Sequence, residues 1–311
     1  MLSLPRKVAD PRDPRASSLV IPTDTCSSGD FVLLGLPFDS SIPSRPGARL
    51  GPRAFREALP SLTTFGHGVD LSGRTCLDLG DLDLPPTSVR TAHERVQSAS
   101  RDIFTTGAIP FFIGGDNGLT GALIRGLAEA RPDLRLGLVV IDAHYDVREY
   151  EDENSLSSGT PYRRALETPI CEGSRTFIVG TRAFANSAYY DRWLSEQGVH
   201  TIPVDVFDKK PAIDIARDVR HRLEASADAI FLSIDIDAVT AGEAPGSSAA
   251  APGGLTSREL IAIVREITAS PKLIGCDLSE LSPPWDFQNL TAKLAARVFL
   301  ETFLAATTRP V

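Results

Sequence analysis

Short apolar segments alternate with longer helix-compatible segments along most of this 311-residue chain. Several apolar segments are continuously hydrophobic, which is typical of strands buried on both faces of a parallel sheet. The predicted strands are residues 31–36, 109–113, 136–141, 176–179, 229–234 and 273–276. The predicted helices are residues 52–59, 91–105, 119–129, 188–197, 213–225, 257–267 and 291–302. This alternation predicts an α/β fold, a three-layer αβα sandwich around a mostly parallel, doubly wound sheet.

A single domain is predicted for residues 31–311, because no repeat, low-complexity tract or long linker divides them. Residues 1–30 are rich in Pro, Arg, Asp and Ser and lack the apolar core of a secretion signal. We therefore predict a loose N-terminal leader on a cytoplasmic protein. The four cysteines are widely spaced, which predicts reduced thiols and neither a disulfide framework nor a zinc site.

The bulk composition excludes two classes of partner. The formal net charge of −8 argues against nucleic acid or an anionic membrane as the main partner. No apolar run approaches the roughly 20 residues that span a bilayer. A hydrophobic content of 42% and a charged content of 23% are typical of a globular protein with a large core. We therefore expect neither a nucleic-acid-binding protein nor a membrane protein.

Potential metal ligands follow two of the predicted strands at a regular spacing. Asp142, His144 and Asp146 follow one strand, and alternate residues of an extended segment point to the same side. Asp235 and Asp237 follow another strand with the same spacing. Ligands of open α/β sheets bind beyond the carboxyl ends of the strands. We therefore expect these five side chains to converge at one edge of the sheet.

Four carboxylates and one imidazole in one place would repel one another without a cation. Oxygen ligands with a single nitrogen and no thiolate suit Mn²⁺ better than structural zinc. A lone Asp-x-Asp after a strand is more often a helix cap, and an isolated His144 is more often a structural histidine. Two such clusters on separate strands favour a metal site, and four carboxylates indicate two ions that share ligands.

At these residues the sequence resembles the ureohydrolases, the family of arginase, agmatinase and formimidoylglutamase. The matching segments are Asp142-Ala143-His144-Tyr145-Asp146, Ser233-Ile234-Asp235-Ile236-Asp237 and Gly114-Gly115-Asp116-Asn117, the last where the family has Gly-Gly-Asp-His. The similarity continues in family order through nearly all of the chain after residue 30. Residues 142–148, 158–164 and 180–187 are most similar to formimidoylglutamase. The proton-shuttling histidine of arginases is absent near Ser157 and Ser158, which disfavours arginase.

The resemblance implies an arginase-like fold with a dinuclear Mn²⁺ site. Asp142 and Asp235 would bridge two ions, Asp146 would complete one ligand set, and His144 with Asp237 would complete the other. Paired ions would activate a water that attacks the amidine carbon. Asp237 would then accept and donate the proton.

Substrate contacts are also implied by the resemblance. Glu280 matches the family's glutamate that hydrogen-bonds the cationic nitrogens of the substrate, and it completes the expected catalytic set with His144 and Asp237. Arg163, Arg164 and Arg182 are candidates for binding a substrate carboxylate, because arginine binds carboxylates in a bidentate manner. Arg182 is preferred, and Asn186 in the similar segment 180–187 is a further substrate-binding candidate.

Two positions depart from the family pattern. Asn117 stands where the family has a metal-ligating histidine, and its amide oxygen is a weaker donor to Mn²⁺. Thr240 replaces a supporting aspartate. We therefore expect six ligand positions, including Asn117, and one of the two ions to bind weakly. The protein would then be active with one labile ion, act with another metal or on an unusual amidine, or have lost hydrolysis.

The favoured prediction is Mn²⁺-dependent hydrolysis of N-formimidoyl-L-glutamate to glutamate and formamide, a step of histidine degradation. The alternatives are an agmatinase or guanidino-acid ureohydrolase, and a catalytically impaired member that acts as a binding protein. A deacetylase-like enzyme is disfavoured by the second aspartate pair, and a dinucleotide-binding protein by the lack of Gly-x-Gly-x-x-Gly. The resemblance also implies a homo-oligomer, a trimer or a hexamer.

Overall fold

A computed structural model describes residues 10–151 and 155–308 of the chain. Its strands are β1 (Val20–Pro22), β2 (Phe31–Leu36), β3 (Phe65–Gly66), β4 (Val69–Asp70), β5 (Cys76–Asp81), β6 (Ile109–Gly114), β7 (Leu136–Ile141), β8 (Cys171–Thr181), β9 (His200–Pro203), β10 (Ala229–Asp235) and β11 (Leu273–Ser279). Nine of them form one sheet in the order β1-β5-β2-β6-β11-β10-β7-β8-β9. Every pairing in this sheet is parallel. β3 and β4 form a separate antiparallel hairpin.

Helices cover both faces of the sheet. They are α1 (Gly51–Ala58), α2 (Val89–Thr106), α3 (Leu119–Ala130), α4 (Pro161–Leu166), α5 (Ala188–Glu196), α6 (Ala212–Ser226), α7 (Ser257–Thr268) and α8 (Leu290–Thr307). The helices α1, α6, α7 and α8 contribute to one hydrophobic cluster, and α2 to α5 contribute to the other. The predicted three-layer αβα fold is therefore confirmed.

The central strands are apolar throughout because both of their faces are covered. In β7, Val139 and Ile141 pack into the cluster on one face, while Leu138 and Val140 pack into the cluster on the other. Burial of one such side chain contributes about 1.5–3 kcal/mol. The uninterrupted hydrophobic pattern of β7 thus follows from the two helical layers that enclose it.

Three strands of the sheet and one helix were not among the sequence predictions. β1 and β9 have only three and four residues and lie at the two edges of the sheet, where few apolar residues are needed. β5 alternates between buried and half-buried residues over most of its length. α4 has only six residues, too few to show a helical period.

The N-terminal segment is more ordered than the predicted loose leader. Ala16 and Leu19 are buried, and β1 pairs with β5 as the edge strand of the sheet. The prediction of a loose leader is therefore wrong for residues 16–22, because burial of Leu19 and the strand pairing fix this segment. Residues 1–9 lie outside the described part of the chain. Among residues 10–151 and 155–308, no helix is both long and apolar enough to span a membrane.

His93, on α2, gives the fold a pH dependence on the acid side. Burial, together with the positive charge of Arg125, lowers the pKa of His93 to about 4 against the hydrogen bond to the Leu156 backbone. Between pH 6.5 and 4 the unfolded chain binds a proton here that the folded chain does not. The free energy of unfolding therefore decreases as the pH is lowered through this window. The expected loss is about 3 kcal/mol.

The measurement is the free energy of unfolding in urea at pH 7.5 and at pH 4.5. The substitution His93→Gln is expected to reduce the difference between the two values by about that amount, since glutamine does not titrate. An unchanged difference would show that His93 contributes nothing to the acid sensitivity.

Candidate metal centre

The four central strands bring the predicted motifs to one edge of the sheet. These strands are neighbours in the order β6-β11-β10-β7. Asn117 follows β6, Asp142 follows β7, Asp235 ends β10 and Glu280 follows β11. Because the strands are parallel, their carboxyl ends meet, and the site is built from residues that are far apart in sequence.

Local turns, and not continued strands, place the acidic side chains. β7 ends at Ile141, and Asp146 has a left-handed backbone with φ of 44°. In β10, the side chain of Asp235 accepts a hydrogen bond from the Asp237 backbone at 2.8 Å and begins the 3₁₀ turn Ile236–Ala238. The predicted convergence is correct, but it arises from turns after the strands instead of from the alternation of an extended chain.

Two groups of side chains have the composition and spacing of metal ligands. One consists of Asp142, His144 and Asp237, and the other of Asp142, Asp146 and Asp235. Within each group the potential ligand atoms lie within 4.8 Å of one another. Asp142 belongs to both groups. The five carboxylate and imidazole ligands predicted from the two strand motifs therefore lie together.

The electrostatics of the two groups fit a bound cation. Burial raises the pKa of Asp142, and it raises those of Asp146 and Asp235 well above the ordinary range. Against the effect of burial, Asp142 and Asp237 raise the pKa of His144 to about 11. The Oδ1 atom of Asp237 is buried and has no hydrogen-bond partner. Carboxylates this crowded are neutralised either by protons or by a bound cation, and hard oxygen donors with one imidazole suit Mn²⁺.

Asn117 lies beside the ligand groups, but its amide oxygen faces away from them. This oxygen accepts hydrogen bonds from the hydroxyls of Ser279, Tyr162 and Thr120 at 3.1, 3.3 and 3.4 Å. The amide nitrogen donates to Asp146 at 3.0 Å and to Asp142 at 3.4 Å. In this orientation the amide nitrogen, and not the oxygen that we predicted as a metal ligand, points at the two ligand groups.

Glu280 is held rigidly at the same edge. One carboxylate oxygen accepts a hydrogen bond from the Asn117 backbone at 2.8 Å, and the other accepts one from the Ser248 hydroxyl. The backbone of Glu280 is left-handed, with φ of 64°, which costs roughly 1–2 kcal/mol for a residue other than glycine. The hydrogen bonds hold the carboxylate in place despite this cost.

A cavity of about 140 Å³ is lined by five of the predicted site residues. Its wall includes His144, Asp146, Asp235, Asp237 and Glu280. The remainder of the wall contains three serine hydroxyls and one arginine, namely Ser44, Ser158, Ser248 and Arg148. A small polar molecule could therefore contact both ligand groups and Glu280 at once.

The arginines predicted to bind substrate do not line this cavity. Arg182 is buried, and it donates to the carbonyl oxygens of Ala251 at 2.7 Å and Asp237 at 3.1 Å. Arg163 is also buried, and it donates to the Val147 carbonyl oxygen at 2.8 Å. Both guanidinium groups donate to backbone carbonyl oxygens and neither lines the cavity, which argues against the predicted substrate contact.

The side chain of Asn186 is also hydrogen-bonded to the backbone. Its amide oxygen accepts a hydrogen bond from the Tyr145 backbone at 2.8 Å, and its amide nitrogen donates to the Ala143 carbonyl oxygen at 3.0 Å. Asn186 thus clamps the loop that carries His144 and does not contact the cavity. These contacts argue against the predicted substrate contact of Asn186 as well.

Sequence reasoning missed Arg148, the arginine that does line the cavity. Its Nη1 atom donates to the hydroxyl of Tyr150 at 3.0 Å, and its backbone nitrogen donates to the Gly159 carbonyl oxygen at 2.9 Å. The signal was present, because Arg148 lies two residues after Asp146 in a segment most similar to formimidoylglutamase. Most arginines lie at the surface, so the residue type alone does not assign Arg148 to the site.

Comparison with known proteins agrees with this geometry. The arginase family profile matches residues 29–305. A formimidoylglutamase of Halobacterium salinarum is 36% identical over 303 residues, which cover 95% of each chain. The crystal structure of formimidoylglutamase from Bacillus subtilis superimposes with a TM-score of 0.93 at 28% identity, covering 100% of this chain and 97% of that one. A Trypanosoma cruzi formiminoglutamase solved with Mn²⁺ gives a TM-score of 0.85 at 28% identity, covering 96% of this chain and 100% of that one.

The fold and the paired acidic ligand groups are those of a metal-dependent hydrolase with an arginase-like α/β sheet. The chain belongs to the arginase family. It is accordingly a ureohydrolase-type enzyme, a hydrolase that acts on the carbon–nitrogen bonds of linear amidines.

Addition of Mn²⁺ is expected to raise the melting temperature of chelator-treated protein. An ion at 100 times its Kd contributes about 2.7 kcal/mol at each site. For a chain of this size that corresponds to an increase of roughly 5–10 °C. Thermal unfolding with and without Mn²⁺ measures the effect, and Mg²⁺ at the same concentration should produce a smaller increase. An equal response to both ions would contradict a site selective for Mn²⁺.

Proposed function

We propose that this protein hydrolyses N-formimidoyl-L-glutamate to L-glutamate and formamide. The observation that carries the proposal is the composition of the cavity, which combines residues of two metal-ligand groups, the Glu280 carboxylate and, in the described part of the chain, one arginine. An amidinium needs an anionic partner, and a dicarboxylate tail needs a cation. A cavity with both features fits an acidic amidine better than the neutral or cationic tail of arginine or agmatine. The similarity to formimidoylglutamases supports the same choice.

Two Mn²⁺ ions per subunit are part of the proposal. Asp142, His144 and Asp237 would hold one ion, and Asp142, Asp146 and Asp235 the other, with Asp142 shared. We propose that Asp235 is also shared, as the family resemblance implies. Bound in this way, the ions would supply the activation of water near neutral pH. The amide of Asn117 would orient Asp146 and Asp142 through its hydrogen bonds.

The remaining chemistry is assigned to carboxylates of this chain. Glu280 would accept hydrogen bonds from the amidinium nitrogens and so hold the amidine carbon in place. Asp237 would accept a proton from the attacking water and deliver it to the departing amine, and the lack of a hydrogen-bond partner for its buried Oδ1 atom supports this role. The carbon–oxygen bond forms, the bond to the glutamate nitrogen breaks, and formamide and glutamate are released.

Arg148 is proposed to bind the substrate carboxylate. Among the described residues it is the one arginine or lysine that lines the cavity, and its guanidinium can bind a carboxylate through two parallel hydrogen bonds. The hydroxyls of Ser44 and Ser158 line the same cavity and can donate further hydrogen bonds to the tail.

The test is turnover with added Mn²⁺ on N-formimidoyl-L-glutamate, arginine, agmatine and 4-guanidinobutyrate, with the bound metal counted in parallel. Turnover is expected on the first substrate, with kcat/KM at least tenfold above the others, which is a difference of about 1.4 kcal/mol. A preference for agmatine or guanidinobutyrate would overturn the substrate assignment and leave the ureohydrolase class in place.

A catalytically impaired binding protein is the second candidate, and the orientation of Asn117 favours it. One ion would lack the histidine ligand of the family pattern, and metal affinity would fall. Turnover of none of the four substrates, with fewer than one bound Mn²⁺ per chain, would support this candidate. The variant Asn117→His would then be expected to raise the metal content towards two, whereas an unchanged content would exclude a weakened ligand set as the cause.

Three further features complete the proposal. We propose a single arginase-like domain that begins with the sheet-bound residues 16–22, and a homo-oligomer, either a trimer or a hexamer. Phe184 and Phe287 are exposed by 107% and 67%, and subunit contacts would cover such apolar side chains. All four cysteines are unpaired, which is consistent with a reducing cytoplasm. Light scattering of the purified protein measures the assembly state.

A further inference from the structure

The segment 147–150 carries Arg148 into the cavity, and a buried arginine of α4 holds its backbone. The Nε atom of Arg163 donates to the Val147 carbonyl oxygen at 2.8 Å. The guanidinium of Arg163 also lies over the ring of Trp193 on α5, 4.1 Å from its centroid. Arg163 on α4 therefore contacts α5 and is hydrogen-bonded to the residue before Arg148.

The same segment is fixed from two other directions. The Glu149 backbone nitrogen donates to the hydroxyl of Tyr190 on α5 at 3.0 Å. The Arg148 backbone nitrogen donates to the Gly159 carbonyl oxygen at 2.9 Å. Each of the three residues 147–149 thus has one backbone group bonded to a different part of the fold. These bonds fix the backbone from which the long and flexible side chain of Arg148 extends.

The contacts of Arg163 are those of a positioning residue. Its Nη2 atom is buried without a hydrogen-bond partner, and the nearest carboxylate, of Glu149, lies 3.8 Å away. A buried guanidinium that is incompletely paired costs stability. Its one hydrogen bond among the described residues goes to the backbone beside Arg148. A purely structural role would be filled at lower cost by an apolar side chain of similar volume.

We propose that Arg163 is a specificity-determining positioning residue, which acts by holding the Arg148 guanidinium where it meets the substrate carboxylate. This inference rests on the proposed function. Binding of a carboxylate by a flexible arginine requires that the side chain be ordered, and an arginine ordered in advance avoids that loss of entropy. Arg163 therefore raises the affinity for acidic ligands without contacting them.

The experiment compares Arg163→Met and Arg163→Lys with the matched control Arg175→Met. Arg175 has a side-chain exposure of 11% against 10% for Arg163, and it too donates to a backbone carbonyl, that of Leu136. It lies in β8, before the end of the strand that faces the site. The Mn²⁺-loaded enzymes are assayed for KM and kcat on N-formimidoyl-L-glutamate and for the Kd of L-glutamate by calorimetry.

Arg163→Met is expected to raise the KM and the Kd of glutamate about tenfold, while kcat changes less than threefold. Arg163→Lys should recover part of the affinity, because lysine can donate to the Val147 carbonyl oxygen but lacks the planar contact with Trp193. Arg175→Met should change neither constant. In the double variant with Arg148→Met, the Arg163 substitution should have no further effect on the Kd, because it acts through Arg148.

Each remaining outcome overturns the inference. A loss of kcat without a change in KM, or an additive effect in the double variant, would show that Arg163 does not act through Arg148. An equal effect of Arg175→Met would reduce the result to general destabilisation. Should Arg163→Met fail to fold, Arg163→Lys with unaltered KM and Kd would be sufficient to reject the proposal. Absence of turnover by the unaltered protein on N-formimidoyl-L-glutamate overturns the proposed function instead, and this inference with it.

Discussion

Replacement of Asp142 by asparagine is expected to remove both metal ions and to lower kcat/KM by roughly 10³-fold or more. Asp142 is the one residue common to the two ligand groups, so a single substitution weakens both. A neutral amide binds Mn²⁺ less strongly than a carboxylate, and the loss of an activating cation removes several kcal/mol of transition-state stabilisation. Substitution of Asp146, which belongs to one group only, should lower the content of one ion more than that of the other.

The measurement is the Mn²⁺ content per chain after gel filtration, together with kcat/KM on the preferred substrate. Asp277→Asn is the matched control, because Asp277 is a buried aspartate of the neighbouring strand β11 that belongs to neither ligand group. Burial raises the pKa of Asp277 to about 7, so its carboxyl is partly neutral already and an amide is a close substitute. Two bound ions in Asp142→Asn would contradict the shared-ligand arrangement.

The ligand groups could be predicted from the sequence because each depends on local order. Asp142, His144 and Asp146 follow a strand whose apolar residues mark its end, and the same is true of Asp235 and Asp237. Parallel strands place their carboxyl ends together irrespective of the loops between them. The position of the site thus followed from the strand pattern alone, even though turns produce the convergence of the side chains.

The direction of each long polar side chain could not be predicted in this way. Arg163, Arg182 and Arg148 all follow strand ends or lie in similar motifs, yet only Arg148 reaches the cavity. What separates them is the set of carbonyl oxygens nearby, such as those of Val147 and Ala251, and these come from other parts of the chain. A local pattern contains no information about such acceptors.

The orientation of Asn117 shows the same limit at one residue. The sequence identified the departure from histidine, and it led us to expect the amide oxygen at the metal site. Three hydroxyls at positions 120, 162 and 279 all donate to the oxygen, and the nitrogen is left to face the carboxylates. The outcome depends on three residues that only the folded sheet brings together.

Glu280→Gln is expected to lower kcat/KM about 10²-fold while both metal ions remain bound. The substitution keeps the shape of the side chain and the acceptor for the Asn117 backbone nitrogen, but it removes the negative charge. A hydrogen bond to a charged group contributes about 1.5–3 kcal/mol. A buried amidinium without its anionic partner loses that contribution, and the loss is greatest where the amidine carbon is held for attack.

The control for Glu280→Gln is Glu301→Gln. Both glutamates are 2% exposed, and Glu301 lies on α8, where it binds His67 and Arg297 away from the cavity. Glu301→Gln should lower the melting temperature and leave kcat/KM of the folded protein unchanged. Loss of metal in Glu280→Gln would assign the carboxylate to the metal centre, and an activity within threefold of the unaltered protein would remove it from the reaction. Retained metal with a large loss of kcat/KM is the combination that only a substrate contact explains.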